Sequence, residues 1–259
     1  LITSDSIETI DDKHVNVHLN IYEGKKYYLR NVSWVGNTVY NSDLLDRILQ
    51  MKRGDVYDQT LMNKRLTSDD DAIGNLYYNN GYVFYRLNPV EVNVVGDSID
   101  LEMRIQEGRQ ATFNHVRISG NDRVYENVIR RELRTKPGDL FSMDNIKRSI
   151  QDLAQMNQFD PEALQNDFGQ NGIKPDPVSG TVDLNYPLTS KGGDQIELSA
   201  GWGQTGIVGR VGLKFTNFSV QNLFRKGYKR AGFIPQGDGQ TLSLQVQTNG
   251  TYYQNYALS

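Results

Sequence analysis

Four groups of side chains in this sequence have the types and spacing that chemistry uses. Gly201-Trp202-Gly203-Gln204-Thr205-Gly206 matches the G-x-G-x-x-G pattern that cradles a dinucleotide pyrophosphate. That use requires a helix N-terminus after the last glycine, so that free N–H groups face the phosphates. Ile207-Val208-Gly209-Arg210-Val211 follows instead, with the residue types of a strand, so a hairpin turn is expected and no cofactor. His14 and His18 fall on one face of a strand but about 13 Å apart at 3.3 Å per residue, too far to share a metal ion. These two and His115 read as solvated surface residues. Asp69-Asp70-Asp71 offers carboxylates without the ligand spacing or the glycine of a calcium loop, and reads as an exposed helix face. Arg225-Lys226-Gly227-Tyr228-Lys229-Arg230 could touch lipid head groups or phosphate, or be an ordinary charged loop.

Nothing else supplies a reactive centre. No Ser/His/Asp grouping or P-loop is present, and the absence of cysteine excludes thiolate nucleophiles, thiolate metal sites and disulfides. The expectation is a protein that is not an enzyme and uses no cofactor or metal. Twenty-eight Lys+Arg against thirty-one Asp+Glu leave a net charge of −3, which gives no field to steer nucleic acid. Leu1-Ile2-Thr3-Ser4-Asp5 has neither the basic nor the apolar region of a signal peptide. No stretch reaches the roughly 18 to 20 apolar residues of a spanning helix, so any membrane contact must come from strands or a surface patch.

The elements that would position these residues are written as a repeat. Val32-Ser33-Trp34-Val35-Gly36-Asn37 lines up with Val116-Arg117-Ile118-Ser119-Gly120-Asn121, a shift of 84 residues. The same shift pairs Leu44-Leu45 with Val128-Ile129, and Lys52, Gly54, Asp55, Val56 and Tyr57 with Lys136, Gly138, Asp139, Leu140 and Phe141. Unit endings recur too: Val15, Val17, Leu19 and Ile21 before Glu23-Gly24 match Ile99, Leu101, Met103 and Ile105 before Glu107-Gly108. A third ending is Val182, Leu184, Tyr186 and Leu188. The chain thus opens on the end of one unit and carries two complete ones.

Within a unit the pattern predicts β-α-α-β-β. Tyr28 to Val35 and Phe113 to Ser119 are strands closed by Gly-Asn. Leu44, Leu45, Ile48 and Leu49 then recur at helical spacing, with Lys52-Arg53-Gly54 as cationic last turn and C-cap. Asp58 suits the N-cap of a second helix through Leu61, Leu66, Ile73, Leu76 and Tyr77, and Met143, Ile146, Ile150, Leu153 and Ala154 fill that role in the second copy. A strand from about Tyr82 turns at Gly96-Asp97 into Ile99 to Ile105.

After Lys191-Gly192-Gly193 helical periodicity stops. Ile196, Leu198, Ala200 and Trp202 alternate with polar or glycine positions, as do Ile207, Val211, Leu213 and Phe215, and then Leu242, Leu244 and Val246. Transmembrane barrel strands and soluble antiparallel strands both give this alternation. Three or four strands cannot close a barrel, which needs about eight, so a longer protein is expected beyond Ser259.

The 84-residue β-α-α-β-β unit, with its V-x-[WI]-x-G-N opening and Glu-Gly ending, resembles the POTRA (polypeptide-transport-associated) domain. The exit strand Val182-Asp183-Leu184-Asn185-Tyr186 runs into Gly-rich alternating strands, with Asn222-Leu223-Phe224-Arg225-Lys226-Gly227 after the second of them. That junction resembles the POTRA-to-barrel transition of BamA-type proteins. The implied fold class is α+β, tandem POTRA repeats followed by antiparallel strands of an outer-membrane β-barrel. Its domains would be 1–24, the end of a preceding repeat; 25–108 and 109–191, two repeats; and 192–259, the first barrel strands.

The resemblance implies assembly and insertion of β-barrel proteins at the bacterial outer membrane, with the repeats in the periplasm. Implied partners are unfolded outer-membrane proteins, accessory assembly lipoproteins and outer-membrane lipid, with no nucleic acid. The penultimate strand of such a repeat is usually an open edge, which points to Tyr82, Val83, Phe84, Tyr85, Arg86 and Leu87 as a strand-addition site. Pro89, which cannot donate to a central ladder, fits an edge; packing against the neighbouring repeat is the other reading of it. The first barrel strand, Gln195, Ile196, Glu197, Leu198, Ser199, Ala200, Gly201, Trp202 and Gly203, would form a seam that opens sideways. Gly201 and Gly203 would weaken pairing there, which suits a gate and equally a plain turn. Other functions that the pattern allows are a related POTRA-barrel transporter (TamA-like or two-partner secretion) and a scaffold for accessory lipoproteins.

Overall fold

The computed structural model describes residues 2–11, 14–203, 206–225, 234–249 and 253–259. The chain divides into two compact units, one of residues 1–77 and 85–107, the other of residues 78–84 and 108–259.

The first unit begins with a two-stranded antiparallel hairpin, β1 (Ile2–Asp11) and β2 (His14–Ile21). A complete repeat follows: β3 (Tyr28–Val35), α1 (Ser42–Leu49), α2 (Gln59–Asn63), a π-helical turn (Lys64–Ser68), α3 (Ile73–Tyr78), β4 (Arg86–Val95) and β5 (Ser98–Gln106). The strands form a sheet in the order β3-β5-β4, with β5 parallel to β3 and antiparallel to β4. Ile99, Leu101, Met103 and Ile105 alternate inward along β5 and join Leu29, Leu45, Leu49 and Tyr77 in the buried core. Each such side chain taken out of water stabilises the repeat by roughly 1.5–3 kcal/mol.

Two expectations for this repeat are corrected. The first helix ends at Gln50, which adopts a left-handed conformation (φ 56°), and not at Lys52-Arg53-Gly54. Gly54 serves the turn that follows. The second helix starts at Asp58 as expected, its carboxylate accepting from Thr60 and Leu61 N–H at 2.8 and 3.0 Å. It does not run on unbroken to Tyr77, because Arg65 interrupts it. Buried Arg65 donates to the Ile48 carbonyl at 2.7 Å, to both Asp71 carboxylate oxygens at 2.7 and 2.9 Å, and to Asp69 at 3.2 Å. The chain therefore turns at 69–71, so the three aspartates lie in a turn and not on a helix face. The hydrogen bond from Arg65 holds the Asp71 carboxyl below its ordinary value.

The second unit repeats the plan with β6 (Thr112–Ser119), α4 (Glu126–Glu132), α5 (Met143–Gln155), α6 (Pro161–Asn171), β7 (Ile173–Asp176) and β8 (Thr181–Pro187). Its sheet order, β6-β8-β7, is the same. Phe113, Phe141, Leu153, Phe159, Leu164 and Tyr186 fill its core. Ser142 caps α5, accepting from Asn145 N–H at 3.3 Å. Asp160 caps α6 ahead of Pro161, whose missing N–H costs nothing at a helix start.

The motif shared by the repeats has a backbone explanation. In the first, Leu29 N–H donates to the Asp55 carbonyl at 2.8 Å and Gly54 N–H returns a bond to the Leu29 carbonyl at 2.7 Å. In the second, Phe113 pairs with Asp139 and Gly138 at 2.9 and 2.7 Å. The K-x-G-D segment is thus a strap along the start of each repeat's first strand. Gly36 and Gly120, at φ +89° and +76°, lie so close to the exit strand that a Cβ would fall 2.1 Å from the Ile105 carbonyl oxygen and 1.9 Å from that of Leu188. Only glycine fits there.

Beyond the repeat come β9 (Gln195–Gly203), β10 (Gly206–Phe218), α7 (Val220–Phe224), β11 (Gln240–Asn249) and β12 (Tyr253–Leu258), with an antiparallel sheet in the order β9-β10-β11-β12. Cross-strand partners share a face. Trp202 is opposite Ile207, Leu198 opposite Val211, and Ile196 opposite Leu213; Val211 is in turn opposite Val246, which pairs with Tyr256. One face is therefore apolar across all four strands, and it is open: Ile196, Leu198 and Trp202 are 73%, 75% and 83% exposed. The other face carries Glu197, Arg210, Gln245 and Gln247. A soluble sheet packs its apolar face on a second layer, whereas a barrel strand turns it to lipid.

Candidate strand-docking edges and the repeat-to-sheet junction

The residues expected to form a strand edge do not form one strand. Tyr82, Val83, Phe84 and Tyr85 precede β4, and only Arg86 and Leu87 lie in it. The cause is a turn at Gly81 (φ +91°), after which Val83 and Phe84 pack on the second repeat's core. The Gly81 carbonyl also accepts from Ala111 N–H at 2.9 Å. Tyr85 stacks on Tyr77 in the first unit, with ring centroids 4.2 Å apart. The strand-forming types Tyr-Val-Phe-Tyr are overridden by these tertiary contacts.

β4 itself is an edge, ten residues long, with Val92, Val94 and Val95 about half exposed at its far end. β7, the corresponding edge of the second repeat, has four residues. The nine residues Gln195 to Gly203 all lie in β9, the edge of the four-stranded sheet. The G-x-G-x-x-G segment joins β9 to β10, with Gly203 opposite Gly206, and no helix follows it; Gln204 and Thr205 lie outside the described residues. Of the basic run, Arg225 is exposed and 226–230 lie outside the described residues. His18 approaches Glu8 at 3.9 Å, and His115 meets Asp183 at 3.0 Å.

Glu107, the glutamate of a repeat ending, is a buried clamp. Its carboxylate accepts from the Thr38 hydroxyl, from Val39 N–H at 2.9 Å and from the Tyr77 hydroxyl at 2.9 Å. Burial pushes its pKa up, but these donors outweigh burial and hold it below the ordinary 4.5. Burial, with Glu107 beside it, pushes the Tyr77 hydroxyl up in turn. A depressed folded pKa gives stability that is present above the unfolded value and lost as pH falls through the folded one. The first repeat should therefore weaken in acid below about pH 4, where an ordinary glutamate protonates. Glu107→Gln should flatten that dependence in a pH series of urea unfolding curves.

The junction between the second repeat and the sheet is polar and largely buried, and of its residues only Asn222 falls in a segment that the sequence signals. Asn217, 3% exposed, donates to the Arg123 carbonyl at 2.6 Å and accepts from Gly237 and Gly239 N–H at 3.2 and 3.0 Å. Asn222 donates to the Tyr125 hydroxyl and the Gln236 carbonyl, each at 2.8 Å. Tyr125 N–H reaches the Gly237 carbonyl at 2.9 Å, and the Gln158 side chain donates to the Thr216 carbonyl. Ser219 caps α7 and donates to Asp238 at 2.5 Å. Buried polar groups so paired specify one docking geometry.

The POTRA family model, described as surface antigen variable number repeat, matches residues 27–108 and 111–190. Outer membrane protein assembly factor BamA of Neisseria meningitidis serogroup B (strain ATCC BAA-335 / MC58) is 30% identical over 97% of this chain and 30% of its own length. The chain spans less than a third of the curated relatives it matches. Among solved structures, BamA from Haemophilus ducreyi lacking POTRA domains 1-3 superposes with a TM-score of 0.62 at 17% identity, over 86% of this chain and 37% of that one. Haemophilus influenzae BamA POTRA3-5 gives 0.53 at 22% identity, over 73% and 72%. The chain belongs to the POTRA family, and its tandem repeats run into antiparallel barrel strands of a BamA-type protein of the bacterial outer membrane, with the repeats in the periplasm.

Proposed function

We propose that this protein assembles and inserts β-barrel proteins into the outer membrane, its repeats binding unfolded outer-membrane proteins or accessory assembly lipoproteins by strand addition. The observation that carries this reading is the 30% identity, over 97% of this chain, to a relative named an outer membrane protein assembly factor. The work is pairing and insertion, not catalysis.

β4 is the receiver in this reading. Its ten residues and exposed valines can hold an extended client by backbone hydrogen bonds, whereas four residues in β7 give a short grip. β9 is the seam, an edge whose glycines, Gly201 and Gly203, lower its pairing strength, and the open apolar face beside it meets lipid. A photoreactive residue placed at Asn93 or at Leu198 in cells should capture unfolded barrel precursors. Capture of no precursor at either position would remove the strand-addition reading.

A further inference from the structure

We propose that the outer edge of β3 in the first repeat is a second docking site, which takes an extended acidic segment of a partner protein in the groove between β3 and the end of α1. The site rests on the reading of the repeats as strand acceptors.

Along one strand, side-chain face and N–H direction alternate together. Leu29 faces the core opposite Ile99, and its N–H and C=O point outward to the strap. A bulge at Arg30 follows, after which Val32 and Trp34 take the core face opposite Leu101 and Met103. Their N–H and C=O groups therefore also point outward, past the end of the strap. The strap shows that this edge accepts an added segment; beyond Leu29 the ladder is open among the described residues.

The second repeat closes the same position. Arg130, on α4, donates through both terminal nitrogens to the Val116 carbonyl at 3.2 Å. The residues at the matching positions of the first repeat are Asp46 and Val32. A carboxylate cannot donate to a carbonyl, and Asp46 instead accepts from the Trp34 ring N–H at 2.7 Å. Where the plug is missing there is a groove of about 730 Å³, lined by Asn31, Val32, Asp46, Arg47, Lys52 and Arg53 among others. Three exposed cations border it, and its one carboxylate is already engaged by Trp34. An extended segment bearing carboxylates matches both the open ladder and the charge.

The test uses the whole chain and a fluorescein-labelled peptide of about ten residues, a long strand's length, alternating Glu with Val and Phe. A photoreactive residue is placed at Asn31 and, separately, at Asn93 in β4. The expected result is capture at 31, with affinity lowered roughly tenfold by Asp46→Arg, which supplies the plug, and by Lys52→Glu, an exposed change that decides the matter if the first variant does not fold. Capture at 93 alone, or capture at 31 with affinity unchanged by the folded variants, overturns the β3 site while leaving strand addition at β4 standing. Capture at neither position overturns both.

Discussion

Replacing Gly120 with alanine is expected to cost the second repeat about 2–5 kcal/mol, the sum of a left-handed non-glycine residue and a backbone overlap. The new Cβ would lie 1.9 Å from the Leu188 carbonyl oxygen, and that segment is held to Ser119 by a 2.7 Å backbone bond, so neither side can give way cheaply. A domain holds only roughly 5–15 kcal/mol in total, so the change should be visible in urea unfolding and in faster amide exchange along α5. Gly54→Ala is the control: its φ is equally positive at +92°, but its Cβ would meet nothing within 4 Å. It should therefore cost clearly less than Gly120→Ala. Equal costs would mean that backbone conformation alone, and not the approach of the exit strand, sets the requirement.

Asn217→Ala is expected to loosen the junction without unfolding the repeat. It strips the Gly239 N–H of its acceptor and the Arg123 carbonyl of a donor, and leaves the Gly237 N–H only the Asn217 backbone carbonyl at 3.1 Å. Arg123 is exposed and Gly239 half-buried, so each lost bond costs about its net 0.5–1.5 kcal/mol, and a loss of about 1–3 kcal/mol of docking stability follows. Amide exchange should quicken at Gly239 and Tyr125 while Leu153, deep in the repeat core, keeps its protection. Uniform quickening, Leu153 included, would mean that the network belongs to the repeat's own stability and not to docking.

What the sequence reveals here divides along a physical line. Features that recur in each repeat are legible, because the same constraint leaves the same residue twice, even where a distant strand imposes it, as at Gly36 and Gly120. The inward alternation of β5 is also of this kind, whereas K-x-G-D recurs visibly but reads as a helix cap and is a strap. Features set by a contact made only once are not legible. Arg65 breaks the second helix by reaching Ile48 and Asp71, and nothing in the apolar spacing records that. Tyr82 to Tyr85 have strand types but are drawn away by the second repeat's core and by Tyr77. The junction joins Arg123 and Tyr125 to Asn217 and Asn222, 94 and 97 residues on, and only Asn222 opens a recognisable segment. The sheet's alternation is legible but not its environment; cross-strand register shows that the apolar positions form one open face.

The contrast at Val32 and Val116 follows the same division. The repeat alignment makes Asp46 and Arg130 equivalent, yet only the geometry shows that one of them occupies an edge carbonyl and the other leaves it open.

General assembly of outer-membrane barrels is tested most directly by deleting the segment 25–191 in the gene and quantifying the outer-membrane proteome. Broad loss of many unrelated barrel proteins, together with loss of viability, is the expected result. Loss of a single secreted client with the other barrels at normal levels would contradict it and make the protein a dedicated transporter.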